Sequence, residues 1–155
     1  MNTERSLTNE SFNFLKGSDE FLNIILDNIN SCILLLDNEM KLQAFNNPLK
    51  TIFSNKKDED LLYKKCGNAI GCAYQIEAQK DCGDTQFCCN CELRMAAFNS
   101  YFYNEAIYKQ QTIKPFFTYD NIKVNKHLQF STRLFKFNSD KYIIMVIEDI
   151  SKFQS

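Results

Sequence analysis

The sequence predicts an α+β domain in which five antiparallel strands form one sheet, helices pack on one face of it, and a cysteine-rich segment is inserted. Three observations predict this. Phe21, Leu22, Ile25, Leu26 and Ile29 recur at helical spacing near the start, apolar residues alternate with period two through the last third, and six of the seven cysteines fall between Lys64 and Met95.

Residues 1–17 are polar, with Phe12, Phe14 and Leu15 as their only large apolar cluster, and read as an N-terminal extension or short helix. Ser18 before Asp19 and Glu20 supplies an N-cap and an acidic first turn, so a helix is expected over about 19–29. Cys32 to Leu36 is a short apolar run and Asp37 to Glu39 gives turn chemistry. Met40, Leu42 and Ala44 then alternate with Lys41 and Gln43, which completes a β-hairpin. Asn47 before Pro48 reads as an N-cap with proline in the first turn, and Leu49, Ile52 and Phe53 form the buried face of a short helix. Ser54 to Asp60 is a charged loop. Beyond the cysteines, Leu93, Ala97 and Tyr101 share a helical face with Ala96 beside them, predicting a helix over about 90–103 that starts at the last cysteine. Three strands close the chain: Gln110 to Thr118, Val124 to Phe137 and Tyr142 to Ile150. In the second, Leu128, Phe130, Thr132 and Leu134 face one side; in the third, Ile143, Met145 and Ile147 alternate with Ile144 and Val146. Asn138, Ser139 and Asp140 make the tight connection between them. One domain over 18–152, with its cysteine-rich segment at 66–91, follows from this order.

A chain of 155 residues fits one domain with a core of its own. An apolar fraction of 45% and an aromatic fraction of 14%, without tryptophan, belong to a globular protein and not to a disordered one. Eighteen basic against nineteen acidic residues leave a net charge of −1, and only the short run Lys56-Lys57 concentrates positive charge. Phosphate-driven binding of nucleic acid therefore lacks a basic face. No stretch of about 18 apolar residues occurs, so no membrane span is expected and the chain reads as cytoplasmic. In a reducing cytosol, an odd number of cysteines points to metal, cluster or redox chemistry instead of disulfides.

The clustered cysteines are Cys66, Cys72, Cys82, Cys88, Cys89 and Cys91, interleaved with Gly67, Gly71 and Gly83, three of the four glycines. Missing Cβ atoms let backbone approach closely, so that amides can reach sulfur. Cys88 and Cys91 have two residues between them, the spacing with which one turn presents two sulfurs to one centre. Cys72 and Cys82 flank the loop Ala73 to Asp81 and supply the other two ligands. Four thiolates serve an iron–sulfur cluster or a zinc ion alike, and spacing leaves both open beside a third reading in which the thiols hold nothing. Cys32, alone in an apolar strand, reads as a buried thiol without a ligand role.

Residues Asn68 to Leu93 resemble a cysteine signature found in a subgroup of bacterial and archaeal PAS domains. There the pattern runs Leu-Gly-Cys, then Gly-Cys-Gly, then Cys-x-x-Cys at the start of a helix; here it is Ile70-Gly71-Cys72, Asp81-Cys82-Gly83, and Cys88 with Cys91. The helix and hairpin over Phe21 to Phe45 and the ending Glu148-Asp149-Ile150-Ser151 resemble the same domains, so the likeness spans about 18–152. It implies a PAS-like fold carrying an iron–sulfur cluster, 4Fe-4S ahead of 2Fe-2S, that senses oxygen, nitric oxide or redox state. Cys72, Cys82, Cys88 and Cys91 are carried over as its ligands. Tyr74 stands where the subgroup often has histidine, and Glu92 where it usually has glycine. Cys66 and Cys89 lie outside the pattern and are possible substitute ligands.

Enzymatic readings find little apparatus: His127 is the only histidine, and no Gly-rich phosphate loop or Ser/His/Asp set is visible. The chain is read as a sensor and not an enzyme, the alternative being a PAS-like interaction module with structural zinc. No kinase or regulator segment is visible, so the signal is expected to pass to a separate signalling protein of that kind or through a homodimer. The segment up to Ile29 serves as the contact surface in that reading, or packs into the core.

Overall fold

The computed structural model describes residue 14 and residues 17–54, 60–80, 82–84 and 91–153. The expectations for most of the N-terminal extension, for most of the loop Ser54 to Asp60, and for Cys88 and Cys89 lie outside these residues. Ser18 caps α1 (Asp19–Asn28) by accepting the Phe21 N–H at 3.2 Å, above an acidic first turn. The hairpin follows as β1 (Cys32–Leu36) and β2 (Leu42–Phe45). Asp37 closes its turn: Oδ1 accepts the amides of Glu39 and Lys41 at 2.8 and 2.9 Å, and Oδ2 accepts Gln43 Nε2 at 2.9 Å.

Asn46, only 4% exposed, clasps this corner. It accepts the Ile33 N–H at 2.7 Å and donates to the carbonyls of Leu26 at 2.6 Å and Ser31 at 3.0 Å. Replacing it with leucine strands these partners, and Asn46→Leu is expected to cost about 2–3 kcal/mol of unfolding free energy in denaturant titration. Next comes α2 (Pro48–Ile52), with Pro48 in its first turn as expected. The expected Asn47 cap is corrected: Asn47 is itself helical, makes no side-chain cap bond, and instead donates its N–H to Asp27 Oδ1 at 3.1 Å.

Two short helices unforeseen in the sequence organise the cysteine-rich segment: α3 (Cys66–Ile70) and α4 (Ala73–Ala78). Neither is long enough to show a helical period. Gly71 ends α3 at φ 76°, a left-handed conformation that suits glycine. Backbone bonds from Cys66 N–H to Met40 O and from Leu42 N–H to Lys64 O, both 2.8 Å, tie the segment to the hairpin.

The remaining elements are α5 (Glu92–Tyr103), β3 (Ile107–Phe117), β4 (Lys123–Phe137), β5 (Asp140–Asp149) and a 3-10 turn over Ser151–Phe153. The strands form one five-stranded antiparallel sheet, as the sequence predicts, and the structure sets their order as β2-β1-β5-β4-β3. β3 begins earlier than expected because an irregularity between Ile107 and Gln110, with Lys109 at φ 49°, breaks the alternation. Asn138 and Ser139, at φ 50° and 69°, make a two-residue turn, so Asp140 belongs to β5 and pairs with Phe137. At the end of β5, Asp149 Oδ1 accepts both the N–H and the hydroxyl of Ser151, whose Oγ accepts the His127 N–H at 3.0 Å.

Helices α2 to α5 pack on the face that carries Leu34, Leu36, Phe130, Met145 and Ile147. Phe53 meets Phe116 there with ring centroids 5.0 Å apart. Ser100 and Thr132 share a 2.7 Å hydrogen bond and Thr132 donates to Ala96 O at 3.2 Å, fixing α5 to β4. α1 fully buries none of its residues, and Leu22, Ile24 and Ile25 remain about half exposed. Among the described residues, no helix is long and apolar enough to cross a membrane.

Candidate metal centre

Cys66, Cys72, Cys82 and Cys91 line one cavity of about 30 Å³ together with Lys114 of β3. Cys66 is the first residue of α3, and Cys91 immediately precedes α5. Cys72 lies between α3 and α4 and bridges to Phe116 of β3. The Cys82 N–H donates to Asn68 Oδ1 at 2.9 Å, which holds this residue against α3. Gly67 makes room for it. A Cβ at that position would stand 2.8 Å from Cys82 Sγ, 2.9 Å from its Cβ and 3.7 Å from the Cβ of Cys72.

Burial dominates the protonation of Cys66 and Cys72. It pushes Cys66, 3% exposed, well above the usual thiol range, and the neighbouring Cys82, Cys91, Cys32 and Cys72 push it further. Cys72 is also raised, first by burial, but the amides of Gln75 and Tyr74 and the charge of Lys114 work in the opposite direction. Lys114 is only 6% exposed; its ammonium lies near Cys91 and Cys72 and 5.7 Å from the Tyr74 ring centroid. Glu92, in the first turn of α5, accepts the Thr112 hydroxyl at 2.9 Å.

Of the four ligands expected from the sequence, Cys72, Cys82 and Cys91 are thus brought together, while Cys88, like Cys89, lies outside the described residues. Cys66, set outside the signature, joins them. Cys32 sits in the core, its thiol pushed up to about 12 by burial. His127 pairs with Ile113, and strand alternation puts both on the sheet face opposite Leu128, away from the thiols. Among the described residues, no three His, Cys, Asp or Glu side chains form a group that could hold a single metal ion. Sequence reasoning missed Lys114 and the packing role of Gly67. The first had a signal, since alternation of Thr112, Lys114 and Phe116 puts a lysine on the buried face of β3.

The fold is that of PAS domains. Solved structures similar to this chain include the PAS domain of nitrogen regulation protein NR(II) from Vibrio parahaemolyticus, with TM-score 0.56 and 10% identity over 83% of this chain and 97% of that one. The PAS domain of an HTR-like protein from Haloarcula marismortui has TM-score 0.55 and 12% identity over 88% and 100% of the two chains. A domain of the sensory box sensor histidine kinase/response regulator from Geobacter sulfurreducens has TM-score 0.52 and 13% identity over 87% and 96%. No protein-family profile and no curated protein matches the sequence. At these identities the likeness defines the architecture, and the use of the cysteines is a separate question.

Proposed function

We propose that this chain is a signalling sensor module, not an enzyme, that holds an iron–sulfur cluster through Cys72, Cys82, Cys88 and Cys91. In this reading it responds to oxygen, nitric oxide or redox state and passes the signal by protein–protein contact. The observation that carries it is the meeting of Cys72, Cys82 and Cys91, from separate parts of the chain, around one cavity together with Cys66. The residues fit such a group: thiolates are soft ligands that suit iron–sulfur clusters, Gly67 leaves space beside Cys82, and Lys114 offsets negative charge.

When bound, the cluster supplies one-electron redox chemistry and sensitivity to oxidants. The chain's own residues convert a change at the site into a change of surface. Cys72 and Cys91 anchor the two ends of the segment, and Cys91 sets the start of α5. Release of Cys91 frees the first turn of α5, where Glu92 meets Thr112, and strains the Ser100–Thr132 attachment to β4. The half-exposed Leu22, Ile24 and Ile25 of α1 are the surface we assign to the receiving kinase or regulator protein, or to a second copy. Occurrence of the fold in a sensor histidine kinase/response regulator supports that kind of partner.

The test is iron and acid-labile sulfide content, with a visible spectrum, on protein purified without oxygen and then exposed to air. Iron and sulfide in equal amounts with an absorption that bleaches in air are expected. Colourless, air-stable protein holding zinc overturns the cluster in favour of a structural zinc site.

A further inference from the structure

Lys114 is a charge in a place where the fold asks for an apolar side chain. It lies on the same face of β3 as the buried Thr112 and Phe116 and is itself 6% exposed. An ammonium removed from water is costly unless negative charge faces it. The groups around it are the sulfurs of Cys91 and Cys72, the Glu92 carboxylate and the face of the Tyr74 ring. Glu92 is exposed and already accepts the Thr112 hydroxyl, so within the cavity the sulfurs are the available partners. A neutral thiol answers a cation poorly, whereas a thiolate or a thiolate-bound iron sulfide answers it well. The other cation lining the cavity, Arg94, packs its guanidinium against Gly83 and over the Phe98 ring.

We propose that Lys114 is the counter-cation of the site, placed by β3 against Cys91 and Cys72 so that it favours the more negative, reduced state of the group those residues hold. The proposal rests on the cluster reading above and assigns the residue that poises it. Tyr74 gains a place in the same scheme, since its ring flanks the ammonium.

The test is a redox titration of the anaerobically purified protein, followed by visible absorption, on the wild type and on Lys114→Met, Lys114→Gln and Lys114→Arg. Both uncharged variants are expected to shift the oxidised-to-reduced ratio at a fixed potential about tenfold toward oxidised, a fall of about 59 mV for one electron, while Lys114→Arg stays near the wild type. Loss of iron from both uncharged variants with retention in Lys114→Arg supports the same role. An unchanged midpoint in the uncharged variants, an equal shift in Lys114→Arg, or loss of iron from all three overturns it, because shape and not charge would then be what matters. Wild-type protein without iron and sulfide overturns the cluster reading and this role together, so the two failures are told apart.

Discussion

Cys82→Ala is expected to bring iron and sulfide in anaerobically purified protein down to background while leaving the far-ultraviolet circular dichroism unchanged. Cys82 is half-buried at the edge of the cavity and supplies neither a helix nor a strand to the core, so its loss leaves the sheet intact. Its sulfur, however, lies in the hollow at Gly67, next to the turn that carries Cys66 and opposite Cys72. A four-thiolate group that loses one ligand loses most of its affinity. Cys32→Ala and Cys66→Ala are the comparisons. Cys32 does not line the cavity, and Cys66 is the most deeply buried of the four cavity thiols, with its thiolate disfavoured first by burial and then by its neighbours. Both variants are expected to keep their iron. Full iron in Cys82→Ala together with loss in Cys66→Ala would transfer the ligand role from Cys82 to Cys66.

Gly67→Ala is expected to lower iron affinity about 10- to 100-fold, the range typical of residues that position metal ligands. Gly67 has no unusual φ, so alanine meets no backbone penalty there. The effect comes from contact. The added methyl would stand 2.9 Å from Cys82 Cβ, an atom held close to its own backbone, so Cys82 must move. Displacing a packed neighbour costs about 1–3 kcal/mol, and here the neighbour is a ligand. Competition with a chelator, read at the visible absorption band, measures the change. A Gly67→Ala protein that holds iron as tightly as the wild type would show that Cys82 does not have to occupy this hollow.

The strands of the second half were legible because each carries its own record: Leu128, Phe130 and Thr132, or Ile143, Met145 and Ile147, alternate with partly exposed neighbours over a strand long enough to count. Ser18 likewise announced its helix through a contact with Phe21, three residues on. The helical face of Phe21, Leu22 and Ile25 was legible as a helix, but the sequence left it open between a contact surface and core packing, since periodicity marks an apolar face without saying what covers it. α3 and α4 escaped notice because five or six residues do not complete two helical turns.

The local chemistry of the site, thiols among glycines, is written in the chain from Cys66 to Cys91 and could be read there directly. Which thiols meet, and what faces them, was decided by tertiary structure. Cys66 enters the cavity because the hairpin holds the start of α3 through Met40, and Cys82 because Asn68 and the space at Gly67 receive it. Lys114 faces them because β3, which the chain reaches only after α5, passes beside Cys72 through Phe116. Alternation sets the face a side chain takes, but the partner it meets there depends on a contact between distant segments, which no local pattern records.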